Sequence, residues 1–75
     1  MAEKMLFKFA KSGDAEIRFA TQDFKGAEYF NVRLWVKNDV GDWVPTKRGL
    51  TLNTEQFKSF KRGVEALDQE LGNLE

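Results

Sequence analysis

The chain has 75 residues, with twelve basic and twelve acidic side chains and neither cysteine nor histidine. These absences exclude disulfides and thiolate metal sites, and they remove the commonest catalytic bases, nucleophiles and metal ligands. From its length we expect a single domain, residues 1–75. From the missing groups we expect a protein that is not an enzyme and has no catalytic residues, no metal site and no cofactor. A domain this small without a covalent or metal staple often gains extra burial by forming a dimer.

Zero net charge argues against a generic nucleic-acid coat protein, because such proteins gain most of their affinity by neutralising phosphates. Any nucleic-acid site must therefore be a local cluster of cations on a balanced surface. The apolar runs extend only a few residues, so we expect no membrane span. Without cysteine or an apolar signal-like start, the chain fits a cytoplasmic protein.

Apolar and polar residues alternate up to about residue 52, which predicts β-strands. The first three expected strands are 5–9, 15–21 and 28–36, and a fourth starts at 42–44 and is followed by 50–52. Turn signals at 11–14, 23–26 and 38–41 separate the strands. In the first strand, Met5, Phe7 and Phe9 should share one face. Pro45 cannot donate to a β-ladder, so it marks a sheet edge or a break, and residues 47–49 are expected to form a bulge or loop.

The remainder of the chain has helical spacing. Asn53 followed by Gln56 resembles a capping box, with Asn in place of Ser or Thr, so a helix should begin at Asn53. Gly72-Asn73 offers a C-terminal stop signal. Strands followed by one helix predict an α+β fold, a four-stranded antiparallel sheet with one C-terminal helix.

The helix carries a seam of apolar residues at steps of three and four, typical of a heptad pattern. The seam consists of Phe57, Phe60, Val64, Leu67, Leu71 and Leu74. One interpretation is that this stripe packs only on the chain's own sheet. We favour a seam shared between the sheet and a partner helix across a two-fold axis. The expected dimer interface therefore contains Phe57, Phe60, Val64, Leu67 and Leu71.

A third pattern combines an aromatic ring with cations. Phe24-Lys25 falls in a turn signal, Arg33 in a strand, and Lys47-Arg48 in the expected bulge. Phe24 is either a hydrophobic plug folded under its turn or an exposed ring on which a nucleobase stacks. Such stacking contributes about 1–3 kcal/mol per base and is tolerant of sequence.

These residues also carry a resemblance to a known family. The stretch from Ile17 to Lys61 resembles the single-stranded-DNA-binding core of the transcriptional coactivator family called positive cofactor four. The residues that carry it are Asp23-Phe24-Lys25-Gly26, Asn31-Val32-Arg33, Gly41, Pro45, Lys47-Arg48-Gly49-Leu50-Thr51-Leu52-Asn53, Gln56-Phe57 and Lys61. The chain is nearly the bare core, without the Ser-rich and acidic N-terminal region of the eukaryotic coactivators. This fits a bacterial or phage version better than a nuclear one, and such a version is expected to be nucleoid-associated.

The resemblance implies a homodimer whose helices pair and whose curved sheets cradle single-stranded or partly melted DNA. Phe24 is similar in position to the family's stacking Phe. The cations Lys25, Arg33, Lys47 and Arg48 resemble its backbone contacts. The implied function is sequence-tolerant binding at unwound DNA in transcription regulation, replication or recombination. The implied protein partners are proteins of the transcription or replication machinery. The alternatives are a dimeric protein-interaction adaptor and an RNA-binding regulator.

Three positions depart from the family's pattern. Ala27 and Val44 replace basic residues, and Val36 replaces a stacking Trp. If residues 38–41 form the hairpin loop, Lys37 opposes Asp42 and Val36 opposes Trp43. Directly opposed residues share a sheet face. We therefore hypothesise that Trp43 supplies the missing ring.

Overall fold

The alternating segments form four strands, and the helical segment follows them. The computed structural model describes residues 3–74, without the side chains of Asn73 and Leu74. The elements are β1 (Glu3–Ser12), β2 (Ala15–Phe24), β3 (Ala27–Lys37), β4 (Trp43–Asn53) and α1 (Thr54–Leu74). The strands pair antiparallel in chain order to form an open, curved sheet. The predicted α+β fold is confirmed.

Alternation along paired strands gives the sheet two faces of different chemistry. The apolar face carries Phe7, Phe9, Ile17, Phe19, Phe30, Val32, Leu34, Val36, Val44, Leu50 and Leu52. The polar face carries Lys8, Glu16, Arg18, Gln22, Phe24, Tyr29, Asn31, Arg33, Trp35, Lys37, Trp43 and Thr51. Because the apolar face must be covered, the polar face is the one left for function.

Helix α1 covers only part of the apolar face. The Phe57 ring stacks on Phe30 with 4.7 Å between centroids, and Phe60 lies 6.4 Å beyond Phe57. The helix contacts β3 and β4 alone among the described strands. Farther along, Leu67 is 66% exposed and Leu71 59% exposed. The predicted position of Leu74 in the seam lies outside the described side chains.

The start of α1 is fixed as predicted. The backbone N–H of Gln56 donates to Asn53 Oδ1 at 2.8 Å, and the N–H of Asn53 donates to Gln56 Oε1 at 3.1 Å. This reciprocal pair is a capping box, which satisfies N–H groups that the first turn leaves without partners. The predicted stop at Gly72-Asn73 was wrong, because the helix continues to Leu74.

No helix within residues 3–74 has the length and apolarity needed to cross a membrane.

The chain has no buried apolar core within its described residues. The buried residues there are Glu16 and Asn31, each 7% exposed, and both belong to the polar face. On the apolar face, Phe7 is 61% exposed and Phe9 48% exposed, although both rings contact Phe19. A single chain therefore leaves much of its apolar surface in water, where burial would stabilise it.

Two registers differ from the sequence predictions. An irregularity between Met5 and Phe7 places Met5 opposite Ala20, on the polar face. The predicted common face for Met5, Phe7 and Phe9 was therefore wrong, because an extra residue in one strand reverses the side-chain alternation. The second hairpin is also tighter than predicted. Strand β2 continues to Phe24, which pairs with Ala27 across the two-residue turn Lys25–Gly26.

The third hairpin loop is one residue longer than predicted, so Lys37 pairs with Trp43, and Val36 with Val44. Asn38 accounts for the longer loop. Its Oδ1 accepts hydrogen bonds from the N–H groups of Val40 at 3.1 Å and Asp42 at 2.9 Å. The predicted pairing of Val36 with Trp43 was wrong. Trp43 lies on the polar face, so it cannot replace a ring on the face of Val36.

Candidate nucleic-acid interface

The polar face is hollowed at its centre. The central depression has a volume of about 330 Å³. It is lined by Glu3, Met5, Arg18, Ala20, Gln22, Asn31, Arg33, Trp35, Pro45 and Thr51. Its lining combines two guanidinium groups, the Glu3 carboxylate, an indole ring and several uncharged hydrogen-bonding groups. The lining is therefore net positive and contains a ring, which suits a ligand that is both anionic and aromatic.

Arg33 is held in place by the neighbouring edge strand. Its Nη1 donates to the backbone carbonyl of Thr46 at 2.9 Å, and its Nη2 donates to Thr51 Oγ1 at 3.4 Å. Thr46 lies in a register shift of β4 opposite the segment Arg33–Trp35, so the predicted bulge is present. The bulge turns a backbone carbonyl toward Arg33, which fixes the guanidinium at the rim of the central depression.

Gly49 permits this arrangement. It pairs directly with Arg33 in the β3–β4 ladder. A Cβ atom at residue 49 would lie 2.6 Å from the carbonyl oxygen of Val32 and 2.7 Å from Arg33 Cα. Because both obstacles are backbone atoms, no side-chain rotation relieves the clash. Glycine is therefore required where β4 returns to its register after the bulge.

A hydrogen-bonded network forms the floor of the central depression. The buried Asn31 donates from Nδ2 to Gln22 Oε1 at 3.0 Å and accepts at Oδ1 from Thr51 Oγ1 at 2.7 Å. A buried amide is costly unless its donors and acceptors are paired. The network therefore holds β2, β3 and β4 in fixed relation beneath the site.

At the centre of the polar face, Arg18 lies between an acid and two indoles, of which Trp43 lies toward one end of the face. Its Nε donates to Glu16 Oε2, and its Cζ lies 4.1 Å from the Trp35 ring centroid and 6.0 Å from that of Trp43. Lys37 Nζ lies 5.3 Å from the Trp43 centroid. Cation–π contacts at these distances orient the cations over the ring faces.

At the opposite end of the polar face is Phe24. The residue is 43% exposed and borders a second depression, of about 300 Å³, with Gln22, Tyr29 and Thr51. Lys25 Nζ lies 5.4 Å from its ring centroid. Lys25 and Gly26 have φ angles of 51° and 79°, the left-handed pair that a two-residue hairpin turn requires. The tight turn keeps the ring on the polar face as the last residue of β2.

The two remaining predicted cations lie on the edge strand. Lys47 and Arg48 are exposed in the bulge of β4. Arg48 lines a depression on the apolar side of the sheet, together with Ile17 and Leu34. The structure thus brings Phe24, Arg33 and Trp43 to the polar face and places Lys25 at its turn, whereas Arg48 lies at the rim of the other face.

Sequence reasoning did not name Arg18, Trp35 and Lys37 as candidate site residues. Alternation already placed Arg18 and Trp35 on polar positions of their strands, but it does not say which strands lie side by side. The register that sets Arg18 opposite Arg33 follows from the two-residue turn at Lys25–Gly26. The shortness of that turn was the available signal.

Comparisons with known proteins agree with this fold. The family model described as Transcriptional Coactivator p15 (PC4) matches residues 11–63. The chain is 33% identical over 58 residues, 77% of its length, to the RNA polymerase II transcriptional coactivator KELP of Arabidopsis thaliana. It spans about a third of that relative, 34% of its length.

Solved structures show the same architecture. A PC4 homolog from Burkholderia pseudomallei K96243 superposes with a TM-score of 0.80 at 28% identity, covering 89% of this chain and 98% of the homolog. The bacteriophage T5 homolog of the eukaryotic coactivator PC4 superposes with a TM-score of 0.66 at 19% identity, covering 97% and 81% of the two chains, a likeness of fold. With more than half of its residues matched by the family model, the chain belongs to the Transcriptional Coactivator p15 (PC4) family.

Proposed function

We propose that this protein is a homodimer that binds single-stranded DNA along the polar face, with little sequence preference, at unwound DNA. The observation that carries the proposal is the Phe24 ring, 43% exposed on the polar face and accompanied by Lys25. A nucleobase offers a π-face whatever its identity. An exposed ring with a neighbouring cation therefore suits binding that is tolerant of sequence.

The cations of the polar face support the phosphate part of this proposal. Arg33 borders the central depression between Phe24 at one end and Trp43 at the other. Arginine and lysine beside stacking rings follow a single strand by holding its backbone while the bases stack. Lys47, in the neighbouring bulge, extends this path along the edge strand.

The uncovered apolar face supports the dimer. The described part of the protomer buries no apolar side chain, and the seam residues Val64, Leu67 and Leu71 are exposed. Covering the apolar face and the seam with a second copy would remove both from water. Folding and dimerisation are then coupled, and the stability of the protein depends on its concentration.

The relatives suggest the processes in which such binding is used. The plant relative is a coactivator of RNA polymerase II transcription, and the T5 homolog is implicated in recombination-dependent DNA replication. Both processes expose single strands. We therefore assign this protein to unwound DNA in transcription regulation or in replication and recombination, with proteins of those machineries as candidate partners.

A titration with three ligands tests the proposal. Trp35 and Trp43 both lie on the polar face, so their fluorescence should change on binding. We expect saturable binding of a single-stranded DNA oligonucleotide, weaker binding of the matching duplex, and an affinity that falls with salt. Preference for RNA of the same sequence would favour the RNA-binding alternative, and binding to none of the three would favour a protein-interaction adaptor.

Replacing Phe24, the ring on which the proposal rests, is a sharper test. Phe24→Ala should weaken binding of single-stranded DNA by about fivefold to a hundredfold, since stacking of one base contributes about 1–3 kcal/mol. Its thermal unfolding midpoint should stay near that of the wild type, because the ring is not buried. Val40→Ala, at a side chain 80% exposed in the third hairpin, is the control and should change neither quantity. A large drop in the midpoint of Phe24→Ala would identify the ring as a structural plug.

A further inference from the structure

Two arginines face each other across the centre of the polar face. Arg18 of β2 is directly opposed to Arg33 of β3, and both line the central depression. Opposed residues in an antiparallel pair have Cβ atoms about 4.5–5.5 Å apart, and like charges in that position destabilise the sheet. Such a pair needs a compensating anion.

The protein supplies only part of that compensation. Glu16 accepts from Arg18 Nε, but Lys8 Nζ also lies 3.8 Å from the same carboxylate oxygen. Arg33 is held by two neutral acceptors, the Thr46 carbonyl and Thr51 Oγ1. Around this point, the three cations Lys8, Arg18 and Arg33 face two carboxylates, the buried Glu16 and Glu3 in the lining of the depression, so a local excess of one positive charge remains.

The protein also holds both guanidinium groups in position, and each group retains N–H donors that a ligand can use. Glu16 accepts a hydrogen bond from Arg18 Nε. Among residues 3–74, the Arg18 Nη nitrogens make no hydrogen bond to the protein. Trp35, 4.1 Å away, covers one face of the guanidinium and limits its rotation. Arg33 retains Nε–H and further Nη–H groups beyond those given to the two threonines. Preorganised donors of this kind bind an anion without the loss of side-chain entropy.

We propose that Arg18 and Arg33 together clamp one phosphate group of the nucleic-acid backbone in the central depression, with Trp35 and Glu16 as positioning residues for Arg18. This inference rests on the proposed function. It adds Arg18 to the site and specifies a geometry in which two guanidinium groups bind one phosphate. Arginine suits the role because its planar fork matches phosphate oxygens in pairs.

The salt dependence of binding tests the clamp. Anisotropy titrations of a labelled oligothymidylate at several NaCl concentrations would compare wild type, Arg18→Gln, Arg33→Gln and the double variant. Each single change should weaken binding by about tenfold, the loss of a charge-assisted hydrogen bond. Each phosphate of a single strand that is no longer neutralised lowers the log–log salt slope by about 0.7. Because the clamp holds one phosphate, the slope of the double variant should fall by about 0.7 in total.

Lys58→Gln is the matched control. Lys58 lies in α1, its side chain is 72% exposed, and it pairs with Glu55 rather than with the polar face. It should leave both affinity and slope unchanged. A double variant whose slope falls by about 1.4 would show two separate phosphates and overturn the shared clamp. An Arg18→Gln protein with wild-type affinity and slope would overturn the role of Arg18.

Two further results separate folding from binding. Should Arg18→Gln fail to fold, Arg18→Lys decides, because it keeps the charge and loses the planar fork. We expect Arg18→Lys to retain the wild-type slope and to bind several-fold more weakly. Unchanged affinity would overturn the clamp. Wild-type protein that binds no oligothymidylate would overturn the proposed function itself, whereas wild-type binding with unaffected arginine variants would overturn only the clamp.

Discussion

Gly49→Ala should damage both the stability of the sheet and the nucleic-acid site. The added Cβ would meet the Val32 carbonyl oxygen at 2.6 Å, Arg33 Cα at 2.7 Å and Arg33 Cβ at 2.9 Å. All three distances are shorter than van der Waals contact, and two of the atoms belong to the backbone. Strand β4 must therefore move away from β3, or the bulge must rearrange.

The cost is that of inserting an extra carbon into a packed position, about 1–3 kcal/mol. With a urea m-value of about 1–3 kcal/mol/M, the midpoint of unfolding should fall by on the order of 1 M. The variant and the wild type must be compared at one protein concentration, because the midpoint of a dimer depends on concentration. The same shift of β4 moves Thr46 and Thr51, the two acceptors of Arg33, so the affinity for single-stranded DNA should fall as well.

Gly13→Ala is the matched control. Gly13 lies in the first turn, and a Cβ built there meets no atom within 4 Å in the described structure. The same chemical change should therefore leave the free energy of unfolding within about 0.5 kcal/mol of the wild type, as for surface substitutions generally. If Gly49→Ala is as stable as Gly13→Ala and binds DNA equally well, the close approach of β4 to Arg33 is not what the sheet depends on.

Three further predictions concern the dimer, the helix start and the edge strand. Leu67→Glu should shift the protein from dimer to monomer in sedimentation, because it places a charge in the exposed seam. Asn53→Ala should lower the free energy of unfolding by about 1 kcal/mol in urea titrations, because it removes the capping bond to the N–H of Gln56. Replacing Lys47 and Arg48 by Ala should reduce the log–log salt slope of DNA binding by about 0.7 for each phosphate that these cations hold in the wild type.

Each of these has a control and a contrary result. Val40→Glu adds the same charge at a loop side chain and should leave the dimer intact, so dissociation by both variants would point to a general charge effect. Asn53→Asp keeps a capping oxygen and should recover most of the lost stability. An unchanged slope after removal of both edge cations would exclude them from the binding path, leaving the cations of the polar face to hold the backbone.

The fold was predictable because its signals are local. Alternation gave the four strands, and Asn53 with Gln56 gave the helix start that the capping box confirms. The errors arose where one residue changes the register. The irregularity near Leu6 has no glycine or proline to mark it, and the longer third loop depends on the Asn38 side chain bonding two later N–H groups. A shift of one residue moves every following side chain to the other face.

The candidate site was predicted only in part, for the same reason. Phe24 and Arg33 were singled out as an aromatic ring and a cation, and the resemblance then assigned their roles one residue at a time. The opposition of Arg18 and Arg33, and the stacking of Arg18 on Trp35, are relations between strands that exist only once the register is fixed. Trp43 was chosen by an argument about register that failed, although the correct register leaves it on the polar face.

The distribution of charged residues over the fold explains how a chain of zero net charge can present a surface that binds an anion. On the polar face the strands place Lys8, Arg18, Arg33 and Lys37 against two carboxylates, Glu3 and Glu16. Most other acids fall in the turns, as at 14, 39 and 42, or on the helix, as at 55, 65, 68 and 70. Charges separated by more than a Debye length, about 10 Å at 0.1 M salt, are largely screened from one another. A phosphate bound on this face would therefore respond mainly to the charges nearest to it, where four cations face two carboxylates, and net charge is a poor guide to what the face binds.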